Sequence, residues 1–144
     1  MKLKDKALAE NSEFIPLSIK LEAEISELEQ NEKESFLKDL GINQPALEKL
    51  IRTSYNSLGL GTFFTAGEKE VRSWIIKKGS LAPEAAGVIH TDFQKGFIRA
   101  EVISFEDYIA HEGDQGAKIA GKLRSEGSEY VVNEGDVILF RFNV

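Results

Sequence analysis

Thr62-Phe63-Phe64-Thr65-Ala66-Gly67, followed after three residues by Val71-Arg72-Ser73-Trp74-Ile75-Ile76-Lys77, is the stretch on which the fold turns. Both runs are rich in aromatic and β-branched side chains, which fit a pleated, half-buried surface. Ala66-Gly67 reads as a turn between them. The pair therefore predicts a β-hairpin. Downstream, Ser80 is placed to cap a short helix through Pro83, Glu84, Ala85 and Ala86. From Phe97 to Ser104 the pattern alternates: Ile98, Ala100 and Val102 on one side, Arg99 and Glu101 on the other, as in a half-buried strand. Ala117 to Arg124 reads as another short helix. Tyr130-Val131-Val132 and Val137 to Phe142 read as two strands about the turn Asn133-Glu134-Gly135-Asp136, with Gly135 supplying the permissive backbone. The order strand, strand, helix, strand, short helix, strand, strand predicts an α+β roll, with the β-grasp (ubiquitin-like) roll as the natural candidate. No internal repeat is visible.

Upstream the period changes to a helical one. Phe14-Ile15-Pro16-Leu17 is a short apolar run, expected as a buried strand with Pro16 at an edge. Leu21, Ile25 and Leu28 share one face of a helix expected from about Leu21, and Glu22, Glu24, Glu27 and Glu29 take the other. Asn31 and Glu34 have capping-box spacing, Phe36, Leu37 and Leu40 line the helix that follows, and Gly41 stands where a left-handed C-cap is wanted. Asn43 and Pro45 open a third helix carrying Leu47, Leu50, Ile51, Tyr55 and Leu58, which Gly59-Leu60-Gly61 ends. One strand and a few helices in this length form a poor independent core. The region is therefore expected to be the tail end of a larger domain rather than a helical subdomain of its own.

The chain has 144 residues, 42% of them apolar and 29% charged, with 18 Lys and Arg against 24 Asp and Glu. These values exclude collagen-like, low-complexity and acidic disordered chains. No apolar run reaches membrane-spanning length, and Met1 to Glu10 has no signal-peptide core, so no membrane and a cytoplasmic home are expected. Zero cysteines exclude disulfides, thiolate zinc sites and cysteine nucleophiles. Both halves are net acidic, so any nucleic-acid contact has to come from a local patch.

Motifs that suggest chemistry mostly fail. Gly116 to Lys122 has the spacing of a phosphate-binding loop, but Leu123 stands where Ser or Thr would hold magnesium, and polar residues precede it instead of a strand. His90 and His111 have no ligand partner at metal spacing, and His90 reads as a helix-end histidine. Ser18, Ser73, Ser80, Ser104 and Ser128 lack the nucleophile elbow. The glutamates from Glu22 to Glu34 read as a solvated helix face. One basic patch remains: Lys69, Arg72, Lys77 and Lys78, near Phe63, Phe64 and Trp74. Basic and aromatic residues on a sheet are suited to RNA. Composition alone favours the plainer reading, in which Trp74 belongs to the core and the lysines guard a sheet edge.

The hairpin string, continued by Ala85-Ala86-Gly87-Val88-Ile89-His90-Thr91-Asp92-Phe93, by Lys95-Gly96-Phe97-Ile98-Arg99-Ala100-Glu101 and by the ending Asn133 to Val144, resembles the TGS domain and C-terminus of the YchF, or Obg-like ATPase, family. The resemblance implies a β-grasp TGS roll over 59–142, a connecting helix over 39–58, and the C-terminal remnant of a P-loop nucleotide-binding domain over 1–38. It implies ribosome-associated NTPases that prefer ATP to GTP. Ser18, Ile19 and Lys20 are similar in position to the Ser-Ala-Lys of the nucleotide base-side loop, with Ile19 departing from it. The phosphate loop, switch regions and magnesium ligands are expected before Met1. The chain by itself is thus expected to hold no cofactor and hydrolyse no ATP, while ATP and Mg2+ are implied for the full-length family protein. The expected partners are the ribosome or ribosomal RNA and the missing nucleotide-binding domain, and no DNA. Three roles compete: docking onto the ribosome through the basic patch, intramolecular control of the parent NTPase without RNA and, ranked last because no pocket-forming motif supports it, a stand-alone regulatory fragment that binds a small effector.

Overall fold

The hairpin forms as expected. In the computed structural model, β1 (Leu60–Ala66) and β2 (Val71–Lys77) run antiparallel, from Leu60 opposite Lys77 to Ala66 opposite Val71. The structure describes residues 2–10, 12–42, 44–67 and 69–143, the side chains of Gln30 and Glu34 excepted. The chain divides into two compact units, Met1–Leu58 and Gly59–Val144.

In the second unit the hairpin is followed by helices α5 (Ala82–Ile89) and α6 (Thr91–Lys95) and strand β3 (Phe97–Ile103). Helices α7 (Phe105–Ala110) and α8 (Asp114–Ile119) and strands β4 (Arg124–Glu126) and β5 (Val137–Phe142) complete it. The sheet has the order β2-β1-β5-β3-β4. β5 lies parallel to β1 and antiparallel to β3. A parallel neighbour requires a crossover, and α5 lies within it. This mixed α+β topology is consistent with a β-grasp roll. Phe63, Ala85, Ala86, Ala100, Val102 and Ile138 are buried where α5 packs on one sheet face. The small alanines let the helix approach closely, and Phe63 meets Phe140 edge-on with centroids 5.9 Å apart.

Local chemistry moves several expected boundaries. Ser80 does not cap α5. Leu81 takes that position, and its N–H donates to the Glu84 carboxylate at 2.9 Å. Ile98 does not join the buried side of β3, because a bulge between Phe97 and Arg99 shifts the phase and leaves it exposed. The helix expected to reach Arg124 stops at Ile119. Gly121 turns the chain at a φ of 71°, and Arg124 opens β4 against β3. Tyr130-Val131-Val132 is not a strand but a single bridge between Val131 and Leu81, since Tyr130 and Val132 turn inward to the core. Gly135 adopts a φ of 82° in the turn expected of it.

The first unit holds α1 (Lys2–Ala9), α2 (Ile19–Glu27), α3 (Gln30–Asp39) and α4 (Ala46–Ser57). Phe14 to Leu17 is not a buried strand. It carries no regular secondary structure and is largely exposed, and no described strand pairs with it. The capping interaction of α3 lies two residues before the expected one, with the Glu29 N–H donating to the Glu32 carboxylate at 3.2 Å. The side chain of Glu34 and all of Asn43, both expected to mark helix starts, lie outside the described residues. Gly41 ends α3 at a φ of 65°, with the Ile42 N–H returning to the Leu37 carbonyl. Glu22 is more than part of a solvated face. Its carboxylate accepts from the N–H groups of Ala46 at 2.9 Å and Leu47 at 3.4 Å, serving the unpaired donors at the start of α4. Leu47, Leu50, Ile51 and Leu58, which recur at helical spacing along α4, are exposed.

Candidate functional site

The four cations of the expected RNA patch lie along one edge of the sheet. β2 is the outer strand, and Lys69 precedes it while Lys78 follows it. They do not form one cluster. Arg72 shares a face with Trp74 and Ile76, the side packed by α5, whereas Lys77 projects from the opposite face. Arg72 and Lys77 are five residue steps apart along the strand, a distance of about 17 Å. Lys78 lies at the far end, where its N–H donates to the Gly59 carbonyl at 2.8 Å and its stem flanks Gly61.

Trp74 is half-buried, which fits both expected readings in part. Its ring packs against the core, and its indole N–H donates to the Thr65 hydroxyl at 2.9 Å. The Arg72 guanidinium lies over the ring, 4.3 Å from its centroid. Beside Trp74 a groove of about 620 Å³ is bounded by the β1–β2 turn, with Thr65, Lys69 and Glu70, and by Phe93 and Phe142. Those two phenylalanines stack at 3.8 Å between centroids. The sequence reading noted the cations and Trp74. It missed the groove, because Phe93 and Phe142 reach it from distant segments.

The sheet face opposite α5 shows Val71, Ile75 and Leu139 to solvent. Across it Glu101 receives Arg141 at 2.9 Å and Arg99 at 3.0 Å. The Arg141 hydrogen bond, and after it Arg99, hold the Glu101 carboxyl below its ordinary value despite partial burial. On the rim, Lys122 and Ser104 likewise lower Asp107.

The turn before β5 contains a polar network that the sequence reading did not find. Asp136, 3% exposed, accepts from the Tyr130 hydroxyl at 2.7 Å and the Asn133 N–H at 2.9 Å. The Tyr130 oxygen in turn accepts from Arg124 at 3.1 Å and from the Asn133 amide at 2.9 Å. Burial and the Asp136 bond push the Tyr130 phenol up. The signal available was Asp136 three residues after Asn133, the spacing of a side chain closing its own turn.

The residues expected at the nucleotide base form the start of α2. The Ser18 hydroxyl accepts from the Leu21 N–H at 3.5 Å, Ile19 is exposed, and Lys20 pairs loosely with Glu24. Among the described residues no cluster of three His, Asp or Glu side chains is placed to hold a metal. The stretch with phosphate-loop spacing is largely helix α8, where the His111 carbonyl crowds Gly116. His90 caps α6 by accepting from the Asp92 N–H at 3.2 Å. No helix among the described residues is long and apolar enough to cross a membrane.

Comparison with known proteins places these observations in a family context. Residues 60–143 match the YchF-GTPase_C family model, described as a protein of unknown function (DUF933). The "Ribosome-binding ATPase YchF" of Bacillus subtilis (strain 168) is 57% identical over 99% of this chain, which spans 39% of that relative. The "Obg-like ATPase 1" of Pongo abelii is 47% identical over 90% of the chain and 32% of its own length. A solved structure, "Structure of the Schizosaccharomyces pombe YchF GTPase", superposes with a TM-score of 0.83 at 37% identity, covering 97% of this chain and 37% of that one.

Proposed function

Since the chain belongs to the YchF, or Obg-like ATPase, family through its YchF-GTPase_C region, we propose that Gly59–Val144 is a TGS-type docking module that meets ribosomal RNA along β2. The observation that carries this reading is the name "ribosome-binding ATPase", borne by relatives that match nearly the whole chain. The cations Lys69, Arg72, Lys77 and Lys78 along an outer strand support it, since phosphate contacts dominate RNA affinity. In this reading residues 1–38 belong to an Obg-type nucleotide-binding domain, and α4 connects it to the module. ATP and magnesium would be held by residues other than those described, with Ser18, Ile19 and Lys20 lending at most backbone near the base.

The test is co-sedimentation of the chain with ribosomes over a salt series. Binding is expected to weaken as salt rises. Replacing Lys69, Arg72, Lys77 and Lys78 together with alanine is expected to weaken it further. Undiminished binding by that variant would reject the β2 edge as the contact. Magnesium-dependent ATP turnover by the pure chain would overturn the assignment of catalysis to residues beyond it.

A further inference from the structure

We propose that the aromatic groove beside Trp74 holds one unstacked base of single-stranded RNA, with Lys69 and Arg72 taking the adjoining phosphates. The proposal rests on the ribosome-docking reading and names the part of the RNA that is held.

The groove joins the two features that single-strand recognition needs. Trp74, Phe93 and Phe142 supply ring surface, and all three are half-buried, so each is fixed by the core yet keeps a solvent-facing portion. Fixed rings lose little freedom when a base stacks on them. The volume of about 620 Å³ lies within the range of small-molecule pockets. Lys69 lies in the lining, and the Arg72 guanidinium carbon lies over the Trp74 ring, 4.3 Å from its centroid, so both positive groups stand beside the aromatic wall. Glu70, the acidic residue of the lining, disfavours an approach by phosphate from its own side and so orients the backbone toward Lys69 and Arg72. Every base has a π-face, so stacking of this kind is tolerant of sequence. Lys77 and Lys78, on the opposite face and at the far end, lie outside this groove.

The chain carries its own probe, because Trp74 is the single tryptophan. Oligo(U) and oligo(A) hexaribonucleotides are titrated into the full chain while its fluorescence is followed, with inorganic polyphosphate and a proline-rich peptide as comparison probes. Saturable quenching by both RNAs, without quenching by polyphosphate or the peptide, is expected. Arg72→Ala with Lys69→Ala should weaken RNA binding by about tenfold or more. Lys118→Ala, on α8 and outside the groove lining, should change it less than about twofold. Circular dichroism melts establish that each variant is folded. No quenching by RNA from a chain that still co-sediments with ribosomes would overturn this proposal and leave the docking reading standing. Loss of both signals would overturn both. Quenching by the peptide in place of RNA would assign the groove to a protein partner and overturn the proposal.

Discussion

Replacing Tyr130 with phenylalanine removes one oxygen from the network around Asp136 and leaves the ring that packs against the core. The lost hydroxyl donates to a carboxylate that is 3% exposed, over 2.7 Å. A hydrogen bond to a charged acceptor contributes about 1.5–3 kcal/mol. Arg124 and the Asn133 amide also lose an acceptor, but both bonds are exposed, so water replaces it at little cost. The Asn133 N–H keeps Asp136 partly satisfied, at 2.9 Å. The expected net loss is therefore about 2 kcal/mol. With a urea m-value of about 1–3 kcal/mol/M, the midpoint of the second unit should fall by about 1 M. Trp74 fluorescence reports that transition directly, because the only tryptophan lies in this unit. Asp136→Asn and the double variant complete a cycle, in which the two changes should be clearly less than additive. A midpoint unmoved by Tyr130→Phe, or additive effects in the cycle, would refute the view that this network ties the turn to the core.

Three further outcomes follow from the contacts. Glu101 is held below its ordinary pKa of 4.5, so its contribution to stability is fully present above that value and is lost as pH falls through the lower folded one; the stability gap between the native chain and Glu101→Gln should narrow on acidification, and thermal melts from pH 7 to 3 would show it. Glu22→Ala strips the start of α4 of its acceptor and should cost about 0.5–2 kcal/mol, read as earlier loss of helical ellipticity on heating, with Trp74 fluorescence unmoved. Gly96→Ala drives a methyl group into the Asn143 carbonyl, against which the Gly96 carbonyl already accepts the Asn143 N–H at 2.8 Å; a loss of about 1–3 kcal/mol is expected by urea titration, and a neutral result would mean that this end of the chain adjusts freely.

What the sequence made legible was whatever its period alone determines. The hairpin, the helix of Ala85 and Ala86, and Val137 to Phe142 carry strong local patterns, and each forms. Where tertiary pairing overrides the pattern, the reading slipped. Phe14 to Leu17 looks like a strand but has no pairing neighbour among the described residues, and Arg124 looks like a helix end but is recruited by β3. Ile98 obeys the alternation of its run and is turned outward by a bulge that no single-residue preference announces. The candidate site was legible in its cations and in Trp74, which lie close in sequence. Phe93 and Phe142 were invisible as partners, because only the folded sheet brings α6 and β5 together.

The strand that forms last in sequence sits in the middle of the sheet. Without Val137 to Phe142, the remaining strands are two separate pairs, β2 with β1 and β3 with β4, joined through no ladder of their own. An isolated two-stranded ladder is marginal in water. The five-stranded sheet closes only when Val137 to Phe142 pairs with both halves, and that pairing is non-local in the chain, which slows folding.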